Sequence, residues 1–468
     1  MRSAFVRIRA LSLGLACLVQ VASVAAADKP HIVYLMADDL GWNDVGFHGG
    51  KIDTPNLNKL AAGGATMNYF YSQPYSTQAR AAFLTGRYPM RYGLQSRSIG
   101  AAAKYGLPTD ERTLAEALHE VGYRTALVGK WQLGHAKPEW LPTKRGFDYF
   151  YGTLSGEVDA LLRKDSKSDW HRNDAPLKED GYVTDLIARD AVKTIATHEG
   201  SAPLFLMVSF TAPAAPFGAA KEYLDKVKEP GDDGRRQYAA SVIALDAAVG
   251  RIVDALDKRK WLDNTLIVFH SDNGGAVPMK FATGDGDVKT AAADNTPLRE
   301  GKGALYEGGV RVVAVASMPS RIKPKTIVTG IVHVTDMYPT LLALAGAKTE
   351  QPKKIDGTDM WPSLSEGKPS PRTEVLVNVE DFGGAIRVGE WKLIARTTLP
   401  SKFQLYDVAN DPDEKENKAE NYPDRVREFL AKLNEYAYDM QSSRYFEELV
   451  RGQIGDTPFN YGQNTLKR

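Results

Sequence analysis

The chain has 468 residues, 43% of them hydrophobic and 25% charged. That is enough for one large folded unit with a smaller one beside it, and it is unlike a disordered chain. Its 59 Lys and Arg are set against 58 Asp and Glu, with the signs interspersed, which excludes the basic stripe of a nucleic-acid binder and the acidic tail of a solvating segment.

In chain order, MRSAFVRIRA places Arg2, Arg7 and Arg9 before the apolar run LSLGLACLVQVASV and the small residues Ala25–Ala27. This is the pattern of a signal peptide over residues 1–27, cleaved near Ala27. The apolar run is short for a membrane anchor. An exported chain is expected, periplasmic or secreted, with no transmembrane anchor after cleavage. The mature chain would carry 56 basic and 58 acidic residues and would lose Cys17, its only cysteine, so neither disulfides nor thiol chemistry is expected.

HIVYLMADDL reads as a buried strand closing on two aspartates. TLAEALHEVG reads as an amphipathic helix stopped by Gly122, and YRTALVGKWQLG as the next strand. PLFLMVSFTAP is a third strand. RQYAASVIALDAAVGRIVDALDKRKW has apolar residues at helical spacing over many turns. NTLIVFHSDNGG is a fourth strand with a polar end. This alternation predicts an α/β core with a mainly parallel sheet and a ligand site beyond the strand C-termini. Around residues 351–373 the composition shifts to Pro, Lys, Ser and Gly. TEVLVNVE, AIRVGEWKLIART and FQLYDV follow at hairpin spacing, then a charged helix, YPDRVREFLAKLNEYAYDM. The expected organisation is a large unit over 28–365 and a small C-terminal α+β unit with an antiparallel sheet and helix over 366–468. The last twenty or so residues show no clear pattern.

Asp38 and Asp39 end one predicted strand, and Asp272 with Asn273 ends another. Either pair alone suits a turn or a cap. Two such pairs at two strand ends of one parallel sheet would converge on an oxygen-only cluster suited to Ca²⁺, with Mg²⁺ as the other hard cation.

The chain resembles the sulfatase family of the alkaline phosphatase superfamily, and in particular its arylsulfatase-like members. The resemblance rests on IVYLMADDLGWNDVGFHG, TPNLNKLAAGGATMNYFY, RAAFLTGRYPMRYGLQ, TLAEALHEVGYRTALVGKWQLG, RGFDYFYG, NTLIVFHSDNGG, PLREGKGALYEGGVR and QLYDVANDPDEKEN, in family order from about residue 31 to about 425. It implies a mixed sheet between helix layers, a small C-terminal sheet domain and Ca²⁺-dependent hydrolysis of sulfate esters by a formylglycine made from Cys or Ser. By the same resemblance, Asp38, Asp39, Asp272 and Asn273 match the metal ligands. Ser76 falls at the nucleophile, Arg80 at the arginine that steadies it, and Lys130 and Lys302 at the lysines that contact sulfate.

Three positions depart from the family pattern. Gln132 replaces the histidine of GKWHLG. Ala214 replaces the strand-end histidine of xxHxP. Gln78 stands where the modifying enzyme reads Pro or Ala, so Ser76 is expected to remain serine. Glutamine cannot exchange a proton near neutral pH, and alanine cannot even hydrogen-bond through its side chain. The expectation is therefore a site that binds, and hydrolyses by altered machinery, a sulfate ester on a small molecule or glycan. The alternatives are a Ser76-dependent phosphoesterase and a non-catalytic binder of a sulfated ligand. His270, two residues before Asp272, and His135, after QLG, are the histidines that could stand in; a packed core position for His270 and a surface role for His135 are the competing readings. GDGDV at 284–288 reads as a surface loop near the entrance.

Overall fold

HIVYLMAD, His31–Asp38, is buried along nearly its whole length, as a strand covered on both faces must be. In the computed structural model, which describes residues 29–454 apart from 165–167, 217, 229–230, 278–279, 283–287, 291–292 and 350, this strand lies near the middle of a ten-stranded sheet. Thr265–Ser271 pairs with it in parallel on one side and Leu204–Pro213 on the other. Arg124–Lys130 and Tyr149–Thr153 continue the parallel run. On one side Ala314–Ser317 pairs antiparallel with Thr265–Ser271 and with Ala65–Tyr71, which Thr326–His333 joins in parallel; on the other the short His171–Arg172 pairs antiparallel with Tyr149–Thr153 and with Ala175–Pro176. The sheet is therefore mixed but mainly parallel, as the strand–helix alternation implies. The predicted leader at 1–27 and most of GDGDV lie outside the described residues.

Helices cover both faces. One apolar cluster joins Tyr34 and Met36 to Phe83, Leu118 and Leu341. The other joins Val33 and Leu35 to Leu186, Leu245 and Val249. The helix at Leu114–Glu120 begins where TLAE foretells it. Thr113 and Glu116 form a reciprocal capping box that satisfies two orphan N–H groups. The helix at Asp233–Lys258 follows its apolar spacing. No helix among the described residues is long and apolar enough to cross a membrane.

Glu374–Glu380, Gly383–Val388, Trp391–Arg396 and Lys402–Asp407 form an antiparallel sheet in sequence order. The helix Pro423–Tyr438 packs Phe429 and Leu433 on it. A second helix, Arg444–Ile454, extends into the stretch that shows no pattern in sequence. It is docked through its first residues: Arg444 N donates to Gly93 O at 2.9 Å, and Ser96 and Ser443 share a hydroxyl bond of 2.8 Å.

The two sheets are joined by a buried ionic cluster. Lys392 Nζ, fully buried, lies 3.0 Å from Glu307 and 3.2 Å from Glu414. Tyr71 donates its hydroxyl to Glu307 at 2.7 Å, and the Glu307 N–H donates to Glu414 at 2.6 Å. Glu307 belongs to GKGALYEGG, so one short segment carries both this anchor and Lys302.

Candidate active site

The site forms where the parallel strands end. Asp38 is the last residue of its strand, and Asp272 follows directly on Thr265–Ser271. Because these strands are adjacent and parallel, Asp38, Asp39 and Asp272 meet, with carboxylate oxygens within 4.8 Å of one another. The chain reverses at Asp39 with φ of 65°, a left-handed conformation that Asp tolerates better than most residues. Hydrogen bonds hold the turn. Asp39 N and Asn273 N both donate to Asp272 Oδ1, at 3.1 and 2.8 Å, and Asn273 Nδ2 donates to Asp39 Oδ1 at 2.7 Å. A Cβ on Gly274 would lie 1.7 Å from Gly308 O. Only glycine therefore lets the DNGG and EGG segments close and set Asn273 in place.

Ser76 opens the helix Ser76–Thr85, all of whose residues are buried. The helix has no side-chain N-cap, and the Ser76 hydroxyl turns to one carboxylate and one amide oxygen, 3.1 Å from Asp38 Oδ1 and 3.3 Å from Asn273 Oδ1. One turn on, Arg80 donates to Asp272 Oδ2 at 2.5 Å and to the Ser76 carbonyl at 3.1 Å. Its Nε donates to Ser209 at 3.2 Å, a partner that nothing in the motif reading singled out. Lys130 meets Asp38 Oδ2 at 2.5 Å, and Lys302 meets Asp39 Oδ2 at 2.7 Å. Three carboxylates thus face three cations from separate segments.

Burial and these pairs set the electrostatics. Burial raises Asp38, but Lys130, Arg80 and Lys302 outweigh it and hold the carboxyl well below its usual range. Burial and the charge of Asp38 push Asp272 up to about 6 against the pull of Arg80. Burial also lowers Lys130, whereas Lys302, which is only partly buried, is raised by Asp39, Asp38 and Asp272. Asp38, Asp39 and Asp272 bring carboxylate oxygens together, Asn273 Oδ1 faces the same Ser76 hydroxyl as Asp38, and these donors are all hard. They fit Ca²⁺ or Mg²⁺ and not a soft ion.

Of the three positions that depart from the family pattern, Ala214 is the one placed beside a residue of this cluster. Ala214 lines a small cavity together with Asp38, Thr211, Tyr182 and Thr184. Gln132 is buried with φ of 55°, and its side-chain Oε1 has no hydrogen-bond partner among the described residues. Its backbone carbonyl accepts the Thr77 hydroxyl at 3.0 Å, which turns that hydroxyl away from Ser76. Gln78 is folded into the interior, where its amide donates to Gln95 O.

Of the two candidate stand-in histidines, His270 is held in the core. His270 is fully buried under the sheet. One ring nitrogen meets the Tyr34 hydroxyl at 2.7 Å and the other Ser271 O at 2.7 Å, and burial lowers its pKa to about 4. It is a packed core residue, so strand alternation alone does not bring it to the cluster. His135 bonds Ala101 O at 2.9 Å.

Comparison with known proteins identifies the family. The family model described as "Sulfatase" matches residues 30–347, and one described as "N-sulphoglucosamine sulphohydrolase, C-terminal" matches 301–442. Arylsulfatase J of Mus musculus is 33% identical over 91% of this chain and 78% of its own length. N-acetylgalactosamine-6-sulfatase of Rattus norvegicus is 32% identical over 78% of this chain and 71% of its own. The crystal structure of Ps i-CgsB in complex with k-i-k-neocarrahexaose superposes with a TM-score of 0.81 at 32% identity, covering 92% of this chain and 98% of that one. With a matching family model over most of its length and relatives of this similarity, the chain belongs to the sulfatase family.

Proposed function

We propose that the protein binds a sulfate ester of a saccharide at a Ca²⁺-dependent site, with Ser76 as the group that faces the sulfur. The observation that carries this is the Ser76 hydroxyl, hydrogen-bonded to Asp38 and Asn273, two of the side chains that would hold the ion. The cluster is formally neutral, three carboxylates against three cations. A divalent ion would leave it positive, as an anionic ester requires. When bound, Ca²⁺ supplies charge neutralisation of the ester and favours the ionised hydroxyl. Arg80, Lys130 and Lys302 orient the sulfate oxygens, and Arg80 also fixes the first turn of the Ser76 helix. A saccharide is favoured by the names of the relatives, N-acetylgalactosamine-6-sulfatase among them, and by the neocarrahexaose in the related crystal structure.

The chemistry open to Ser76 follows from its single hydroxyl. Its Oγ attacks sulfur, the bond from sulfur to the ester oxygen breaks, and the alcohol leaves with a proton. The product is a sulfated Ser76 with no second hydroxyl to expel the sulfate. A phosphate ester would give a phosphoserine instead, which water can attack, and the oxygen-rich cluster beside Ser76 suits that second reading. We further propose that residues 1–27 direct export and that a boundary near 365 separates the two folded units.

Two measurements test this reading. Melting the protein with Ca²⁺ and then with EDTA is expected to separate the transitions. Ca²⁺ at about 1,000 times its Kd stabilises by about 4 kcal/mol, and Asp38→Ala or Asp272→Ala should abolish the difference. Identical melts would remove the metal from the site. Mass spectrometry of the peptide ending at Arg80, from the native source, should give an unmodified Ser76, because Gln78 occupies the position that the modifying enzyme reads. A mass lower by two hydrogens would restore the formylglycine route.

A further inference from the structure

We infer that Arg97 and Tyr75 form a second anion subsite beside the sulfate position, so that the preferred substrate is a saccharide with a further sulfate or carboxylate on the same or the adjoining sugar. This rests on the saccharide-ester reading above. Tyr75 immediately precedes Ser76, and its ring lies between two segments. On one side is Gly303, next to Lys302. Its φ is +83°, and a Cβ there would come within 2.7 Å of the Tyr75 hydroxyl. On the other side is Arg97, whose Nη1 donates to that hydroxyl at 2.7 Å and whose guanidinium sits 5.2 Å from the ring centroid. A continuous rim thus runs from Lys302 through Tyr75 to Arg97.

Arg97 differs from the other cations of the site. Arg80, Lys130 and Lys302 are each matched by a carboxylate of the cluster. Arg97 is exposed and makes no ion pair with a described residue. Glu380, the acid whose carboxyl its charge pulls down, forms no ion pair with it, and burial holds that carboxyl above its usual range. The tyrosine hydroxyl and ring hold the guanidinium in place, and among the described residues Tyr75 is the hydrogen-bond partner of this exposed side chain, whose five N–H donors exceed that one bond. A positioned guanidinium recognises carboxylate or sulfate geometry through paired N–H groups, and holding it in advance reduces the entropy lost on binding. The backbone beneath it is held as well. Ser96 is tied to Ser443, and the Thr77 N–H reaches Ser98 at 3.5 Å. The helix Arg444–Ile454 thus buttresses the segment that presents Arg97.

The test is calorimetric binding in Ca²⁺ of inorganic sulfate, a monosulfated disaccharide and a trisulfated heparin-type disaccharide. It compares the wild-type protein with Arg97→Gln and Arg97→Lys. The wild-type protein is expected to prefer the trisulfated probe. Arg97→Gln should weaken that probe about fivefold, the upper range for an exposed charge pair, and leave inorganic sulfate unchanged. Arg97→Lys should keep part of the preference. Added salt should erode the preference first. Sulfate binding with no preference for the trisulfated probe, or a preference that survives Arg97→Gln, overturns the subsite and leaves the sulfate site standing. No binding of inorganic sulfate by the wild-type protein removes the sulfate site itself, and the subsite with it.

Discussion

A nitrophenyl sulfate is expected to release about one equivalent of nitrophenol per chain and then stop, leaving a sulfated Ser76 detectable by peptide mass. An alkyl sulfate of a sugar should react far more slowly in that single turnover. The reason is the missing acid. Ala214 lines the cavity beside Asp38 and carries no proton, and Gln132 cannot exchange one. Proton transfer by a placed side chain is worth about 10²–10⁴-fold, a loss that falls on alcohols which cannot leave as stable anions. Ala214→His should therefore speed release from the sugar ester by about 10²–10⁴-fold and from the nitrophenyl ester much less. Asp272, held up to about 6, should give the wild-type rate its acid-side limb, whereas Ala214→His should add an alkaline-side limb near the histidine value of about 6.5. A nitrophenyl phosphate, in contrast, should turn over slowly and repeatedly. Repeated cleavage of a sulfated sugar by the wild-type protein, at the rates of about 1–10³ s⁻¹ common among enzymes, would overturn this account. His135 would then be the first residue to replace, since both ring nitrogens of His270 are engaged in the core.

Lys392→Met is expected to destabilise the protein by roughly 3–5 kcal/mol, the cost of leaving buried carboxylates without their cation. Lys392 is fully buried between Glu307 and Glu414. Burial pushes Glu414 up from 4.5 to about 7, with Glu307 adding to the push and Lys392 opposing it. A carboxyl raised in this way contributes stability that is fully present below its unfolded value of about 4.5 and is lost as the pH rises through about 7. In Lys392→Met, Glu414 loses its cation and Glu307 keeps only Arg311, at 3.8 Å, as an ion-pair partner among the described residues, so the destabilisation should be largest above pH 7 and shrink toward pH 5.5, where a proton on Glu414 can stand in for the lysine. Urea melts at pH 5.5 and 8 measure it. A loss below about 1 kcal/mol, or one that is the same at both values, would show that the cluster does not hold the two sheets together.

Much of this site is local in origin and therefore visible as text. A strand that is apolar on both faces and then breaks into DD or DN announces its own end, and parallel neighbours must bring such ends to one edge. TLAE carries its capping box within four residues. The helix Arg444–Ile454 is different: it is held by Gly93 and Ser96, which lie far away in the chain, so no local spacing announces it. His270 shows the limit of counting faces. Alternation sets the side of the sheet but not the depth, and Tyr34 and Phe83, stacked on that side, take the histidine into the core.

The sequence by itself determined the family, the mainly parallel sheet with its antiparallel companion, and the identities of the residues that gather at the strand ends. These depend on short-range pattern and on residue type. Only the tertiary structure decided which cation meets which acid: Arg80 on Asp272, Lys130 on Asp38, Lys302 on Asp39. It alone set Arg97 against Tyr75 and buried Lys392 between two glutamates. Charge pairing acts over a few ångströms in space and is indifferent to separation along the chain, so these partners become definite only when the whole fold closes.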